Sequence, residues 1–143
     1  MTKIRPSARA ILIRPNGKWV LMKRTRSDVP LYYVTIGGGI EQGETSEQAV
    51  QRELLEETGS IVSPPQFLFH FDDPDRPNSV DFYLCYETTR TTPNGPEWSH
   101  IDPDNLYEVV EVTADEARNL PLKPDRLKEK LIDAYEKAIH DRK

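Results

Sequence analysis

The sequence predicts an α+β domain built on a mixed β-sheet with helices on both faces. Three observations lead there. Segments of β-type patterning come first, then one well-capped helix, then more strands, then two helices. That order is not the regular strand–helix alternation of a doubly wound parallel sheet. The length, 143 residues, suits one domain, without a repeat or inter-domain linker.

Taken in order, Ala8–Arg14 alternates small or apolar residues with arginine, as a strand does. Asn16-Gly17 is a hairpin turn, and Trp19–Lys23 returns from it. Leu31–Ile36 is a third strand, rich in tyrosine and β-branched residues. Of Tyr32 and Tyr33, alternation sends one to the core. Gly37-Gly38-Gly39 is expected to break regular structure.

A helix starts at the capping box Thr45-Ser-Glu-Gln48 and stops at Gly59. Phe67–Phe71 and Val80–Glu87 are strands, joined by a loop from Asp72 to Ser79. A long loop, Thr91 to Asn105, precedes the strand Leu106–Val112. Thr113-Ala-Asp-Glu116 caps a short helix ending near Pro121. Pro124 opens the last helix, which places Leu127, Leu131, Tyr135 and Ile139 on one face.

Composition narrows the function classes. The balanced charged fraction and the aromatic content argue against disorder. A lone cysteine, Cys85, makes no internal disulfide and fits a reducing compartment, the cytoplasm; mid-strand, it reads as core. The first residues lack the apolar core of a signal peptide, and no apolar run reaches the ~18 residues of a membrane helix. The formal charge of −5 disfavours general nucleic-acid binding, which needs a basic footprint.

That charge has an address. Residues 37–60 hold six acids (Glu41, Glu44, Glu47, Glu53, Glu56, Glu57) and one base, Arg52; the rest of the chain is neutral. Residues 1–36 form a basic arm, with eight bases against Asp28. At ~100° per residue, Glu53, Glu56 and Glu57 share an arc of about 100° on the helix. Like charges so spaced repel, and a solvated face interleaves lysines. Carboxylates converging without lysine suit a hard divalent cation. Glu41 and Glu47 read as bystanders. Flexible glycines beside them allow close approach of backbone to a ligand, and exposed N–H groups there hold phosphate. Arg24, ending the second strand, is placed to meet a phosphate or a base.

Gly38, Glu44 and Arg52-Glu53-Leu54-Leu55-Glu56-Glu57-Thr58-Gly59 resemble the signature of the Nudix hydrolases (MutT-like): eight of nine fixed positions match over residues 38–60. The resemblance implies an α/β/α sandwich around a mixed sheet, over a single domain spanning residues 1–143. It implies a Mg²⁺-dependent pyrophosphohydrolase (Mn²⁺ substituting) acting on a nucleotide or nucleotide derivative, and a homodimer. By that pattern Glu53, Glu56 and Glu57 hold metal. Glu53 or Glu44 helps activate water, Arg52 orients the glutamates, and Gly37, Gly38, Gly39 and Arg24 meet substrate. An additional carboxylate from Glu97, Asp102, Asp104 or Glu108 stays open. A nucleoside triphosphate is the first substrate expectation. ADP-ribose or a nucleotide sugar is the alternative, and a non-catalytic nucleotide-binding regulator is the rival class. Two departures stand out. Ser60 replaces an apolar residue, with Ile61 next to fill its space, and Ile36 stands where many relatives have proline.

Overall fold

The computed structural model describes residues 4–91 and 104–141. A seven-stranded mixed sheet forms the middle layer. Its strands are β1 (Arg5–Ile13), β2 (Trp19–Arg26), β3 (Val29–Gly39), β4 (Ser60–Val62), β5 (Gln66–Asp72), β6 (Asn78–Arg90) and β7 (Asn105–Val112). The helices are α1 (Ser46–Thr58), α2 (Ala114–Arg118) and α3 (Lys128–Asp141), with a 3₁₀ turn at Asp125–Leu127. The spatial order is β4-β6-β1-β3-β2-β7, and β5 also pairs with β6. β1 and β6 are parallel; the other strand pairs are antiparallel.

Alternation along the strands supplies the two faces. Ala8, Ala10, Leu12, Val20, Met22 and Ile36 point to one side and meet Ala49, Val50 and Leu54 of α1. Ile11, Ile13, Trp19, Leu21 and Phe82 point to the other and meet Leu131, Ile132, Tyr135 and Ala138 of α3. The expected α/β/α sandwich is the fold. Tyr135 also donates to the Gly17 carbonyl at 2.6 Å, pinning α3 to the β1–β2 hairpin. Tyr33 packs on the α3 side as the core tyrosine of its pair. Cys85 is buried, and burial pushes its thiol pKa up to about 12.

Several expectations need correction. Gly37–Gly39 does not break the strand: β3 runs through it, because Gly37, Gly38 and Gly39 pair with Arg9, Ala8 and Ser7 of β1. A distant partner overrides the weak intrinsic strand preference of glycine. Ser60–Val62 is a strand, since β6 extends past Glu87 to receive it. Pro124 precedes the 3₁₀ turn, and α3 itself begins at Lys128. β1 starts earlier than Ala8, at Arg5, following its parallel pairing with β6.

The two departures from the signature also acquire reasons. Ile36 packs in the core opposite Ala10. Ser60 is buried and donates to Glu87 Oε1 at 2.6 Å, so a polar residue there serves a buried carboxylate. Ile61 does not fill its space; it is 45% exposed. Glu87 also pairs with Arg14 (3.5 Å) and Arg90 (3.3 Å), and Arg14 with Glu111 (2.7 Å). Removing Glu87 leaves the buried Arg14 with Glu111 alone among the described residues and takes the acceptor from the buried Ser60 hydroxyl. Glu87→Ala is therefore expected to cost about 3 kcal/mol, and Ser60→Ala about 1 kcal/mol. Both are read as falls in the urea midpoint at constant m-value.

On the β5–β6 hairpin, His70 stands between Asp81 (Nδ1–Oδ1 2.6 Å) and Asp72 (Nε2–Oδ1 2.9 Å). Asp81 first, then Asp72, raises its pKa; His70 in turn lowers that of Asp72. A raised histidine stabilises fully below its unfolded pKa of about 6.5, and that contribution is lost as pH rises through the raised value. The Asp72 contribution is lost at the other end, as pH falls through its depressed value. The melting-point advantage of wild type over His70→Asn is expected to be largest near about pH 5 and to shrink toward about pH 8.

Candidate active site

α1 is built to present its acids accurately. Thr45 accepts from the Gln48 N–H, and Gln48 answers to the Thr45 N–H, a capping box worth about 1 kcal/mol. Gly59 closes the helix at φ 72°, its N–H reaching the Leu54 and Leu55 carbonyls. Between these ends Glu53 and Glu57 are buried, at 9% and 8% exposure, on the side facing β3.

Arg52 is the hub. Its Nε and Nη2 hold both oxygens of Glu44, at 2.8 and 3.1 Å. Nη1 donates to Glu53 Oε1 (2.9 Å) and Glu56 Oε2 (3.3 Å), and Nη2 also donates to the Gly39 carbonyl (3.0 Å). One guanidinium thus ties loop, helix and strand. Glu41, read as a bystander, lies 3.7 Å from the same group. Its hydrogen bonds, the one to Glu44 foremost, raise the Arg52 pKa further. Arg52 and then the Glu41 N–H hold Glu44 below the usual carboxylate range.

The fourth carboxylate is held differently. Beyond Thr35, β3 exchanges β2 for β1 as its ladder partner. The Gly37 N–H, pointing off the ladder, donates to Glu57 Oε2 at 3.2 Å. All three glycines, expected to cradle phosphate, are ladder residues opposite Arg9, Ala8 and Ser7, and Gly37 also gives its N–H to a glutamate. Their lack of side chains matters all the same. A Cβ on Gly38 would fall 2.7 Å from Glu53 Oε1, and one on Gly37 would strike the Ala8 carbonyl at 2.3 Å.

Arg24 lies close by. Its guanidinium sits 3.9 Å from the Tyr107 ring centroid and 5.7 Å from that of Tyr32, and donates to Asn105 (3.2 Å). Of the open carboxylates, Glu97 and Asp102 lie outside the described residues, as does His100. Glu108 is exposed on β7 opposite Lys23, and Asp104 gives its carbonyl to Ser27. Sequence reading missed Arg9, which it counted only in the basic arm. The structure ties it to the Thr35 carbonyl across Gly37, where Glu57 and then Glu53 favour its charge. The available signal was an arginine between two alanines in a core strand, where small neighbours leave room for a long side chain.

Glu44, Glu53, Glu56 and Glu57 are thus gathered at one helix–strand junction, but around arginine and backbone N–H groups. Among the described residues, no three such side chains converge closely enough to hold a metal ion.

A NUDIX domain model matches residues 3–135. The chain belongs to the Nudix hydrolase family. It is 33% identical over 105 residues to the NAD-capped RNA hydrolase NudC of Stutzerimonas stutzeri, covering 68% of this chain and 38% of that one. It is 38% identical over 65 residues to the ADP-ribose pyrophosphatase of Methanocaldococcus jannaschii, covering 46% and 38%. The chain thus spans well under half the length of these curated relatives. A NUDIX hydrolase from Nitrosomonas europaea shares the fold with TM-score 0.71 at 18% identity, covering 95% of this chain and 90% of that one. A MutT structure from a study of Aliivibrio salmonicida and Vibrio cholerae does so with TM-score 0.67 at 24% identity, covering 90% and 96%.

The Nudix glycines separate fold from site. Gly38→Ala meets only the mobile end of Glu53, so it is expected to melt within about 1 kcal/mol of wild type. Gly37→Ala meets backbone at φ +153° and is expected to cost more than about 2 kcal/mol. Thermal denaturation of the two variants checks the contrast.

Proposed function

We propose that this chain is a Mg²⁺-dependent pyrophosphohydrolase, with Mn²⁺ as a substitute, acting as a single domain on a nucleoside triphosphate-type substrate. Water attacks one phosphorus of the diphosphate bridge, its P–O bond to the bridging oxygen breaks, and the other phosphate leaves with that oxygen. The observation that carries this reading is the set of four carboxylates assembled around Arg52 and the β3 glycines. Glu53, Glu56 and Glu57 would hold the cation after drawing together from the arrangement in which Arg52 and the Gly37 N–H engage them. Their donor set is entirely carboxylate oxygen, which suits a hard divalent ion. When bound, such an ion neutralises phosphoryl charge and lowers the pKa of the attacking water.

The chain's own residues divide the remaining work. Arg52 grips both oxygens of Glu44 and keeps it ionised, which makes Glu44 an anchor for the loop. Glu53 is then the proton acceptor for the attacking water. Arg24, stacked on Tyr107 beside Tyr32, forms a flat cationic surface for a base or a phosphate. The buried, unreactive Cys85 fits the cytoplasm, and no helix among the described residues is long and apolar enough to cross a membrane. A homodimer is the expected assembly.

ADP-ribose or a nucleotide sugar is the second reading, favoured by the match to the archaeal ADP-ribose pyrophosphatase. Nucleoside triphosphates, ADP-ribose, nucleotide sugars and dinucleotides, assayed with Mg²⁺ and resolved by product, distinguish these substrates. Glu53→Gln and Glu56→Gln are each expected to lower kcat by about 10²-fold or more. Full turnover in both variants would remove the assigned roles. Silence across the panel would favour a nucleotide-binding regulator.

A further inference from the structure

Arg9 is a long cationic side chain in the middle of a core strand. Its neighbours Ala8 and Ala10 are buried beneath α1. In the β1–β3 ladder Arg9 stands opposite Gly37, and its own side chain crosses that residue. A Cβ on Gly37 would meet Arg9 Cα and Cγ at 2.6 Å. Nη1 donates to the Thr35 carbonyl at 2.5 Å, the last β3 residue that pairs with β2. Arg9 is thus tied to backbone where the sheet divides, beside the Gly37 N–H that holds Glu57 and the Gly38 surface on which Glu53 rests. Desolvation works against its charge. Glu57, followed by Glu53, works for it, while Arg24 opposes.

We propose that Arg9 is a fixed internal counter-charge for Glu53 and Glu57, a positioning residue that holds both carboxylates when no divalent cation is bound and opposes that cation electrostatically when it binds. The inference rests on reading these glutamates as cation ligands. Arg9 differs from Arg52 in its freedom. Arg52 grips from the same helix with a partly exposed side chain, whereas Arg9 comes from another strand and is secured by a carbonyl. Removing the Arg9 charge leaves compensation of the two buried carboxylates in the cation-free protein to Arg52, on Glu53, and to the Gly37 N–H, on Glu57. Once a cation is bound, the same removal matters less. By linkage, the differential loss of stability and the gain in cation affinity are one quantity.

The test measures Mn²⁺ binding by paramagnetic resonance of the free ion, without nucleotide, and thermal melting in EDTA and in saturating Mn²⁺. Arg9→Gln is expected to bind Mn²⁺ roughly tenfold more tightly, as loss of one partly screened unit charge predicts. It should lose several degrees more in EDTA than in Mn²⁺, on the order of 5 °C. Arg9→Lys keeps the charge and should retain near wild-type Mn²⁺ affinity. Equal thermal losses with and without Mn²⁺ together with unchanged affinity would overturn the proposal, as would Arg9→Lys behaving like Arg9→Gln. Failure of Arg9→Gln to fold in both conditions would overturn it as well, making Arg9 a packing residue. If the wild type itself binds no Mn²⁺, the cation-site reading falls and this inference falls with it. Wild-type binding without an Arg9 effect removes the inference alone.

Discussion

The arrangement depends on the guanidinium of Arg52. Six acids crowd residues 37–60, and a helix bearing carboxylates at three- and four-residue spacing carries its own repulsion. Arg52 turns that liability into a structure. It reaches forward along α1 to Glu53 and Glu56, back to Glu44 in the preceding loop, and across to the Gly39 carbonyl. Planar geometry with several donors makes this feasible for arginine, where a lysine would act as a single point charge. The loop from Ile40 to Glu44 contains no strand or helix. Its position follows from this grip, from the Glu41 N–H donating to the Glu44 carboxylate (3.0 Å) and from the capping box that starts α1.

Burial of Glu53 and Glu57 imposes the second constraint. Carboxylates removed from water need compensation at close range. The sheet provides it by dividing: β3 pairs with β2 up to Thr35 and with β1 from Ile36 onward. A strand with a neighbour on one side has backbone N–H groups to give, and Gly37 gives its own to Glu57. Side chains at Gly37 and Gly38 would occupy the space that Arg9 and Glu53 use. The glycines therefore shape a carboxylate site, and the strand they occupy survives because β1 supplies the pairing they do not favour intrinsically.

Much of this was readable locally. The capping box, Gly59, and the arc of Glu53, Glu56 and Glu57 sit within one helix, where periodicity and sequence spacing translate directly into geometry. The α3 face of Leu131 and Tyr135, continued by Leu127 in the 3₁₀ turn before it, was readable for the same reason. What escaped depends on long-range pairing. Gly37–Gly39 reads as a break until β1 is placed beside it. Ser60–Val62 reads as the chain leaving a helix until the extension of β6 is known. Ser60 reads as a defect until Glu87, 27 residues away, lies against it. The surroundings of Arg9 escaped because its partner, the Thr35 carbonyl, comes from another strand. Glu97 and Asp102 fall outside the described residues.

The charge of residues 37–60 is thus opposed by two arginines of unlike character, and the difference orders what can move. Arg9 is anchored to a strand carbonyl, and Glu57 to a strand N–H. Glu44 is doubly held. The bond from Arg52 to Glu56 is the longest of that arginine's hydrogen bonds, 3.3 Å, and Glu56 has the more exposed side chain, 31% against 11% for Glu53. It therefore yields at the smallest cost in desolvated charge. Glu56 is thus less firmly held by Arg52 than Glu44 or Glu53 is, while Glu57 beneath it is fixed by the β3 backbone.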